Sequence, residues 1–266
     1  MQRWLCLWLM FARIMLHLAS GVLKVGLLFP FWEIERRRNE IRTWSRGALQ
    51  IFGMTVIARS DTGSTALQGR LIVANHTSWL DVIALFVTAD VVFVAKKDVE
   101  TWPVIGWLAS RLGTIFLERR TTRDLARGVR VITDQLERGT NVVVFPEGTT
   151  TDGTFLLPFR AALFEAAAKA GGLVQPVAIR YRRPDGQIAQ EAAFTGEMTL
   201  IGSFAALADT RDTTVHVAFL TEYRAAGISR QALAGLAEAQ IRRHLELRPD
   251  LDAPALGTQL ADRAAA

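Results

Sequence analysis

The chain has 266 residues, of which 50% are hydrophobic, and it carries a formal net charge of +5. That apolar content suits one large domain with a core and excludes a disordered chain. A single cysteine, Cys6, excludes an internal disulfide, and the four scattered histidines offer no metal-ligand spacing. We therefore expect neither a bound metal nor a redox cofactor.

The first 50 residues carry the whole positive charge, because they hold eight basic and three acidic side chains. A basic segment attached to a neutral body predicts an anionic partner, either anionic lipid or nucleic acid. We expect no nucleic acid, because the basic residues are interleaved with Trp and Leu and no known binding module is recognisable.

The segment that ends at Pro30 is mostly apolar, with charges at Arg13 and Lys24. No uncharged run in it reaches the roughly 18 residues of a simple membrane span. At about 100° per residue, its polar side chains fall on one narrow stripe of a helix. We predict membrane-anchoring helices over residues 1–53, the first lying in one leaflet and ended by Pro30. A cleaved signal peptide, a core helix and a tilted span are the alternatives.

From Met54 onward, short β-rich runs alternate with helical patterns. This alternation predicts an α/β domain over residues 54–250, with a mostly parallel or mixed sheet flanked by helices. The helical patterns lie at 81–89, 102–111, 122–138, 158–170 and 229–246. The clearest is the third, which Thr122 can cap. Residues 251–266 form an Ala-rich tail that we expect to fray.

A polar cluster within VANHTSWLDV follows the second β-rich run, where ligands gather in α/β sheets. His76 and Asp81 are five residues apart, so they cannot share a helix face. They can meet if His76 lies in the loop after the strand and Asp81 in the first helical turn. The carboxylate then accepts the imidazole N–H, and the other ring nitrogen can take a proton. No G-x-S-x-G motif is present, so the nucleophile would be a substrate hydroxyl. The alternative is a helix-capping role for this loop.

Three further blocks follow in the chain: GTIFLER at 113–119, FPEGTT at 145–150 and VQPVAI at 174–179. Together with the NHTSWLD block, they resemble the glycerolipid acyltransferase family, specifically the bacterial 1-acyl-glycerol-3-phosphate acyltransferases. The resemblance covers about residues 36–185. Its implication is an O-acyltransferase that needs no cofactor and moves a fatty acyl group from acyl-CoA or acyl carrier protein to the free hydroxyl of a lysolipid.

The resemblance also implies roles for individual residues. His76 would be the general base and Asp81 its orienting partner, while Pro176 would belong to the acyl-donor side. The residues implied for the acceptor and its phosphate are Lys97, Arg119, Glu147, Gly148 and Thr149. The implied location is the cytoplasmic face of the inner membrane, with peripheral or monotopic attachment to membrane lipids.

One position departs from the family pattern, because Thr150 stands where an arginine usually follows FPEGT. A hydroxyl does not replace a planar, bidentate phosphate ligand, so Arg160 becomes the candidate substitute. Lysophosphatidic acid is the leading acceptor, with phosphatidic acid as the product. The Thr150 departure motivates lyso-ornithine lipid as an alternative acceptor, and a non-catalytic membrane lipid-binding protein is the alternative from another class.

Overall fold

The computed structural model describes residues 2–61, 69–118, 121–208, 210 and 212–247. The strands in this part of the chain are β1 (Met54–Ser60), β2 (Arg70–Ala74), β3 (Val92–Lys96), β4 (Ile115–Leu117), β5 (Val142–Val144), β6 (Leu173–Arg182), β7 (Thr213–Phe219) and β8 (Tyr223–Arg224). The α-helices are α1 (Gln2–Leu23), α2 (Ile34–Ile51), α3 (Leu80–Thr88), α4 (Lys97–Glu100), α5 (Ile105–Arg111), α6 (Thr122–Glu137), α7 (Phe164–Ala170), α8 (Leu200–Leu207) and α9 (Arg230–His244).

The first α-helix ends at Leu23, before the proline that was predicted to end it, but the helical backbone continues up to that proline. After α1 the chain continues as a π-helical segment, Lys24–Leu28, and a 3-10 turn, Phe29–Phe31, before Trp32 becomes extended. The chain then reverses into α2, and the two helices are joined by His17 and Trp44. Their rings stack at 4.6 Å, and the indole N–H donates to the His17 carbonyl at 2.9 Å.

The apolar surface of the first helix is largely uncovered. The segment Leu7–Phe31 is long and apolar enough to cross a membrane by length and composition, and only 22% of its most apolar window is buried. An ordinary core helix would instead be mostly buried. The most exposed large apolar side chains of this segment and the residues after it are Trp8, Leu9, Leu16, Leu23, Leu27, Phe31 and Ile34.

The sheet has the order β1-β7-β6-β2-β5-β3-β4 among the described residues, and β8 pairs with β6. The five strands from β6 to β4 run parallel, whereas β7 is antiparallel to β6 and parallel to β1. This is the mixed α/β sheet that the alternating pattern predicted. Since β2, β5, β3 and β4 are parallel, their carboxyl ends meet at one edge of the sheet, and the loops that follow them lie together.

Side chains alternate between two hydrophobic clusters on the two faces of the sheet. Leu71 and Val73 of β2 join the cluster under α6, α7 and α9, whereas Ile72 and Ala74 join the cluster under α2 and α3. These side chains are fully buried, as expected of parallel strands that are covered on both faces.

The cap of α6 differs from the prediction. Thr121, not Thr122, caps the helix: its hydroxyl accepts the N–H of Asp124, and the Asp124 carboxylate accepts the N–H of Thr121. This reciprocal pair requires an acidic residue three positions after the cap, and only Thr121 has Asp124 at that spacing. The helix predicted at 102–111 is also shorter, because α5 begins only after Val104 takes a positive φ of 65°.

Candidate active site

His76 and Asp81 are in contact, in the arrangement that their spacing allowed. His76 lies in the loop after β2, and Asp81 lies in the first turn of α3. The Nδ1 atom of His76 is 2.8 Å from Oδ2 of Asp81. The same oxygen accepts the backbone N–H groups of Thr77 at 2.7 Å and Ser78 at 2.9 Å. Because this oxygen acts as an acceptor, the proton on Nδ1 is donated to it, and Nε2 carries the free lone pair.

The Asp81 side chain is fully buried, and its second oxygen has its own donor. The hydroxyl of Tyr181, on β6, donates to Oδ1 at 2.6 Å. Burial, followed by the charge and hydrogen bond of Asp81, raises the pKa of Tyr181 well above its usual range, so the hydroxyl stays protonated. Four donors therefore surround a buried carboxylate, which satisfies the requirement for burying such a charge.

The imidazole ring is held on one face and open at its outer edge. It stacks on Phe145, with ring centroids 3.9 Å apart and an angle of 15° between the planes. The His76 side chain is 20% exposed, and its Nε2 has no hydrogen-bond partner within the described ranges. A ring with one nitrogen anchored and the other accessible can accept a proton from a bound molecule.

Glu147 lies beneath the loop that carries His76, and both of its carboxylate oxygens bind backbone N–H groups. Its Oε1 accepts the N–H of His76 at 2.8 Å, and its Oε2 accepts the N–H of Leu157 at 2.9 Å. The side chain is 2% exposed, and burial raises its pKa from 4.5 to about 8, while the two backbone donors act in the opposite direction. Glu147 therefore ties two loops together, and its contact with an acyl acceptor stays a prediction.

The FPEGTT turn forms one wall of the site. Gly148 has a φ of +77°, which residues that carry a side chain rarely adopt, and a Cβ there would lie 3.2 Å from the guanidinium carbon of Arg160. Arg160 is exposed and donates its backbone N–H to Pro146 at 3.0 Å. Thr149 is exposed at the tip of the turn. The structure thus brings Gly148, Thr149 and Arg160 together.

The remaining predicted residues lie at different depths. Lys97 follows β3 at the same sheet edge, is exposed, and forms an ion pair with Glu100. Arg119, two residues after β4, lies outside the described residues. Pro176 is buried in the middle of β6 beside Val73, so it does not face the open side of the site.

Three residues of the site were missed from the sequence. Asn75 extends the β2–β6 pairing, because its side-chain amide exchanges hydrogen bonds with the backbone of Ile179 at 2.8 and 3.0 Å. Tyr181 and Phe145 contact Asp81 and His76 respectively. Phe145 and Tyr181 come from other strands, so only the sheet order brings them to the dyad. The position of Asn75, next to His76, was the one available sequence signal.

Comparisons with known proteins point to one enzyme family. The Acyltransferase family model matches residues 56–180. The lyso-ornithine lipid O-acyltransferase of Pseudomonas aeruginosa is 39% identical over 181 residues, which cover 68% of this chain and 69% of that protein. The 1-acyl-sn-glycerol-3-phosphate acyltransferase of Neisseria gonorrhoeae is 44% identical over 113 residues, 42% of this chain and 44% of that protein.

A solved structure shows that the fold is shared. The crystal structure of PlsC, the 1-acyl-sn-glycerophosphate (LPA) acyltransferase of Thermotoga maritima, matches with a TM-score of 0.64 at 20% sequence identity. The match covers 92% of this chain and 95% of that chain. Since the Pseudomonas relative is 39% identical and is matched over more than two thirds of its length, this chain belongs to the acyltransferase family that the four motifs predicted.

Proposed function

We propose that this enzyme transfers a fatty acyl group from a thioester donor to the free hydroxyl of a lysolipid, with His76 as the general base. The observation that carries the proposal is the anchored, accessible imidazole: Nδ1 is bonded to the buried Asp81, and Nε2 is open. No separate enzyme nucleophile is needed, because the acceptor itself supplies the hydroxyl.

The proposed reaction has one transfer step. Nε2 of His76 accepts the hydroxyl proton while the acceptor oxygen attacks the thioester carbonyl. A C–O bond forms, the C–S bond breaks, and the imidazolium returns the proton to the departing thiolate. A positioned general base contributes roughly 10²- to 10⁴-fold in rate. Asp81 stabilises the transient imidazolium. Glu147 and Phe145 keep the ring in place.

The acceptor is proposed to lie along the sheet edge that carries the basic residues. Lys97 follows a strand that ends at the same edge as β2, and Arg160 lies against Gly148 with no ion pair to any described carboxylate. Together with Arg119, Gly148 and Thr149, they would hold an anionic group beside the reacting hydroxyl. Lysophosphatidic acid, converted to phosphatidic acid, is the first candidate, and acyl-CoA or acyl carrier protein would supply the acyl group.

Lyso-ornithine lipid is the second candidate acceptor, and Thr150 is the residue that favours it. Its hydroxyl donates to the carbonyl of Phe194, so it points into the protein fold and offers no fork for a phosphate. An ornithine head group carries a carboxylate and an ammonium group, so it places less demand on a bidentate phosphate ligand. The Pseudomonas relative bears this activity in its name.

The test is thiol release by purified protein given acyl-CoA or acyl carrier protein, with each lysolipid in turn. Mass spectrometry would identify the product, and His76→Ala would be measured alongside with its thermal unfolding as a folding control. We expect a fall in rate of about 10²-fold or more in a variant that still unfolds cooperatively, with a melting temperature lowered by the loss of one hydrogen bond to Asp81. A variant that folds and retains full activity would refute the assignment of His76.

We further propose that the first helix holds the enzyme at the cytoplasmic face of the inner membrane. The support is the exposed apolar surface of α1 and of the π-helical segment that follows it, where Leu16 is 72% and Leu27 62% exposed. Each leucine contributes about 1.5–3 kcal/mol when it is transferred out of water. The double substitution Leu16→Glu, Leu27→Glu should therefore move protein from the membrane fraction to the soluble fraction. Val131→Glu, at an exposed apolar position on α6, is the control and should not.

A further inference from the structure

A second pocket, of about 270 Å³, lies away from the dyad where β1, β7 and β6 meet the end of α9. Tyr181 points towards Asp81 and α3, so its neighbours in β6 point to the other face of the sheet. None of the residues assigned to acyl transfer lines this pocket. Its ionisable lining residues, which we call the basic pocket, are Arg59, Arg180, Arg182, His216 and His244.

The sheet register places these basic side chains on one face of the sheet. Arg180 is directly opposite His216 in the antiparallel β6–β7 pair, and His216 is level with Ile57 of β1. Arg182 and Arg59 each lie two residues further along their strands on the same face, but in opposite directions because β6 and β1 run antiparallel, so they flank Arg180 and His216 from two ends. Basic side chains placed directly opposite one another destabilise a sheet unless an anion offsets them.

The protein itself does not supply that anion as an ion pair. Within the described ranges, no carboxylate lies within ion-pair distance of Arg59, Arg180 or Arg182. Arg180 donates to the carbonyl of Leu245 and Arg182 to that of Gly186, while the buried Nε of Arg180 has no partner. The Nε of Arg180 is closed off from solvent, so the donor groups available to a ligand are those of Arg59 and Arg182 that form no bond within the described ranges.

The electrostatics agree with this geometry. Burial lowers the pKa of His216, and the charges of Arg182, Arg59 and Arg180 lower it further. Burial and the charge of Arg182 likewise lower the pKa of Arg180, and Glu246 acts in the opposite direction. The carboxylate of Glu246 therefore only partly offsets the positive potential, and a bound anion would offset the rest.

We propose that the basic pocket binds a phosphate or diphosphate group of a soluble ligand. Guanidinium forks match phosphate oxygens in pairs, and three of them converge here. A volume near the lower end of ligand pockets, roughly 300–1,000 Å³, suits a small polyanion. The pocket lies on the sheet face opposite α2 and α3, away from the apolar helix, so a soluble ligand fits better than a lipid surface.

The test is calorimetric titration of the purified full chain with inorganic pyrophosphate. We expect saturable binding, and Arg182→Gln should raise the dissociation constant about tenfold, as for the loss of one charge-assisted hydrogen bond. Arg127→Gln removes the same charge from the exposed surface of α6 and should leave the constant unchanged. Absence of saturable binding, or an equal effect of both variants, would overturn the proposal.

Competition distinguishes the two sources of such a phosphate. Displacement of pyrophosphate by CoA would assign the basic pocket to the nucleotide end of a CoA donor, whereas no displacement would assign it to a free phosphate compound. Both results support a phosphate site. Two other results would overturn it. One is binding of pyrophosphate only after removal of residues 248–266, which would make the chain's own tail the occupant. The other is that pyrophosphate does not bind at all, while Arg182→Gln weakens binding of the protein to anionic vesicles.

Discussion

Tyr181→Phe tests whether the dyad depends on a third residue. The substitution removes one hydroxyl, which donates to Oδ1 of Asp81 at 2.6 Å in a fully buried setting, and leaves the aromatic packing intact. Oδ2 keeps its three donors, from His76, Thr77 and Ser78. In the variant, Oδ2 of Asp81 therefore keeps its hydrogen bonds, whereas Oδ1 loses the only hydrogen bond that it accepts within the described residues.

The size of the effect follows from the type of bond. A hydrogen bond to a charged group contributes about 1.5–3 kcal/mol, so the melting temperature should fall by about 2–4 °C for each kcal/mol lost. If about half of that energy supports the imidazolium that forms during transfer, kcat should fall about 4- to 13-fold. The KM for the acceptor should stay constant, because Tyr181 is buried and does not reach the substrate.

The chain offers a matched control, since Tyr223 is its other tyrosine. The Tyr223 hydroxyl donates to the neutral carbonyl of Leu233 at 2.8 Å, away from the dyad. Tyr223→Phe should cost only about 0.5–1.5 kcal/mol of stability and leave kcat unchanged. Both variants would be assayed by thiol release and thermal unfolding. If Tyr181→Phe kept the wild-type kcat, the three contacts of Oδ2 alone would position Asp81, and Tyr181 would have only a structural role.

Three further predictions concern stability and the turn beside the dyad. The raised pKa of Glu147, about 8 against 4.5 when unfolded, means that the native state keeps a proton which the unfolded chain has released between these values. The free energy of unfolding should therefore fall as pH rises through this range, by up to about 1.4 kcal/mol per pH unit. Urea denaturation of Glu147→Gln at several pH values should show a smaller fall per pH unit, and an unchanged fall would contradict this origin. Gly148→Ala and Gly186→Ala both place a side chain at positive φ and should each lose about 1 kcal/mol. Only Gly148→Ala should also raise the acceptor KM, because its Cβ meets the neighbouring guanidinium, and equal kinetics in both variants would exclude that contact from acceptor binding. Thr121→Ala should destabilise the protein by about 1 kcal/mol in thermal unfolding and Thr122→Ala by much less; the reverse order would mean that the cap had been misassigned.

The glutamate of the third motif shows the limit of reasoning from motifs. Its presence in FPEGTT placed Glu147 correctly at the sheet edge with His76, because both follow parallel neighbouring strands. Whether its carboxylate faced a substrate or the backbone depended on the loops around it. The two loops contain residues 76 and 157, which no sequence spacing connects. The backbone N–H group of each of these residues binds one carboxylate oxygen of Glu147.

The amino-acid sequence by itself determined the α/β class, the end of the N-terminal helical run at Pro30 and the pairing of His76 with Asp81, because each depends on periodicity, a helix-breaking residue or a spacing of a few positions. The tertiary structure alone decided the rest of the site. Tyr181 reaches Asp81 across 100 residues because β6 runs beside β2 and extends past its end. The same strand carries Arg180 and Arg182 on its opposite face, into the basic pocket. Strand order and register are set by packing between distant segments, and local pattern does not encode which segments become neighbours.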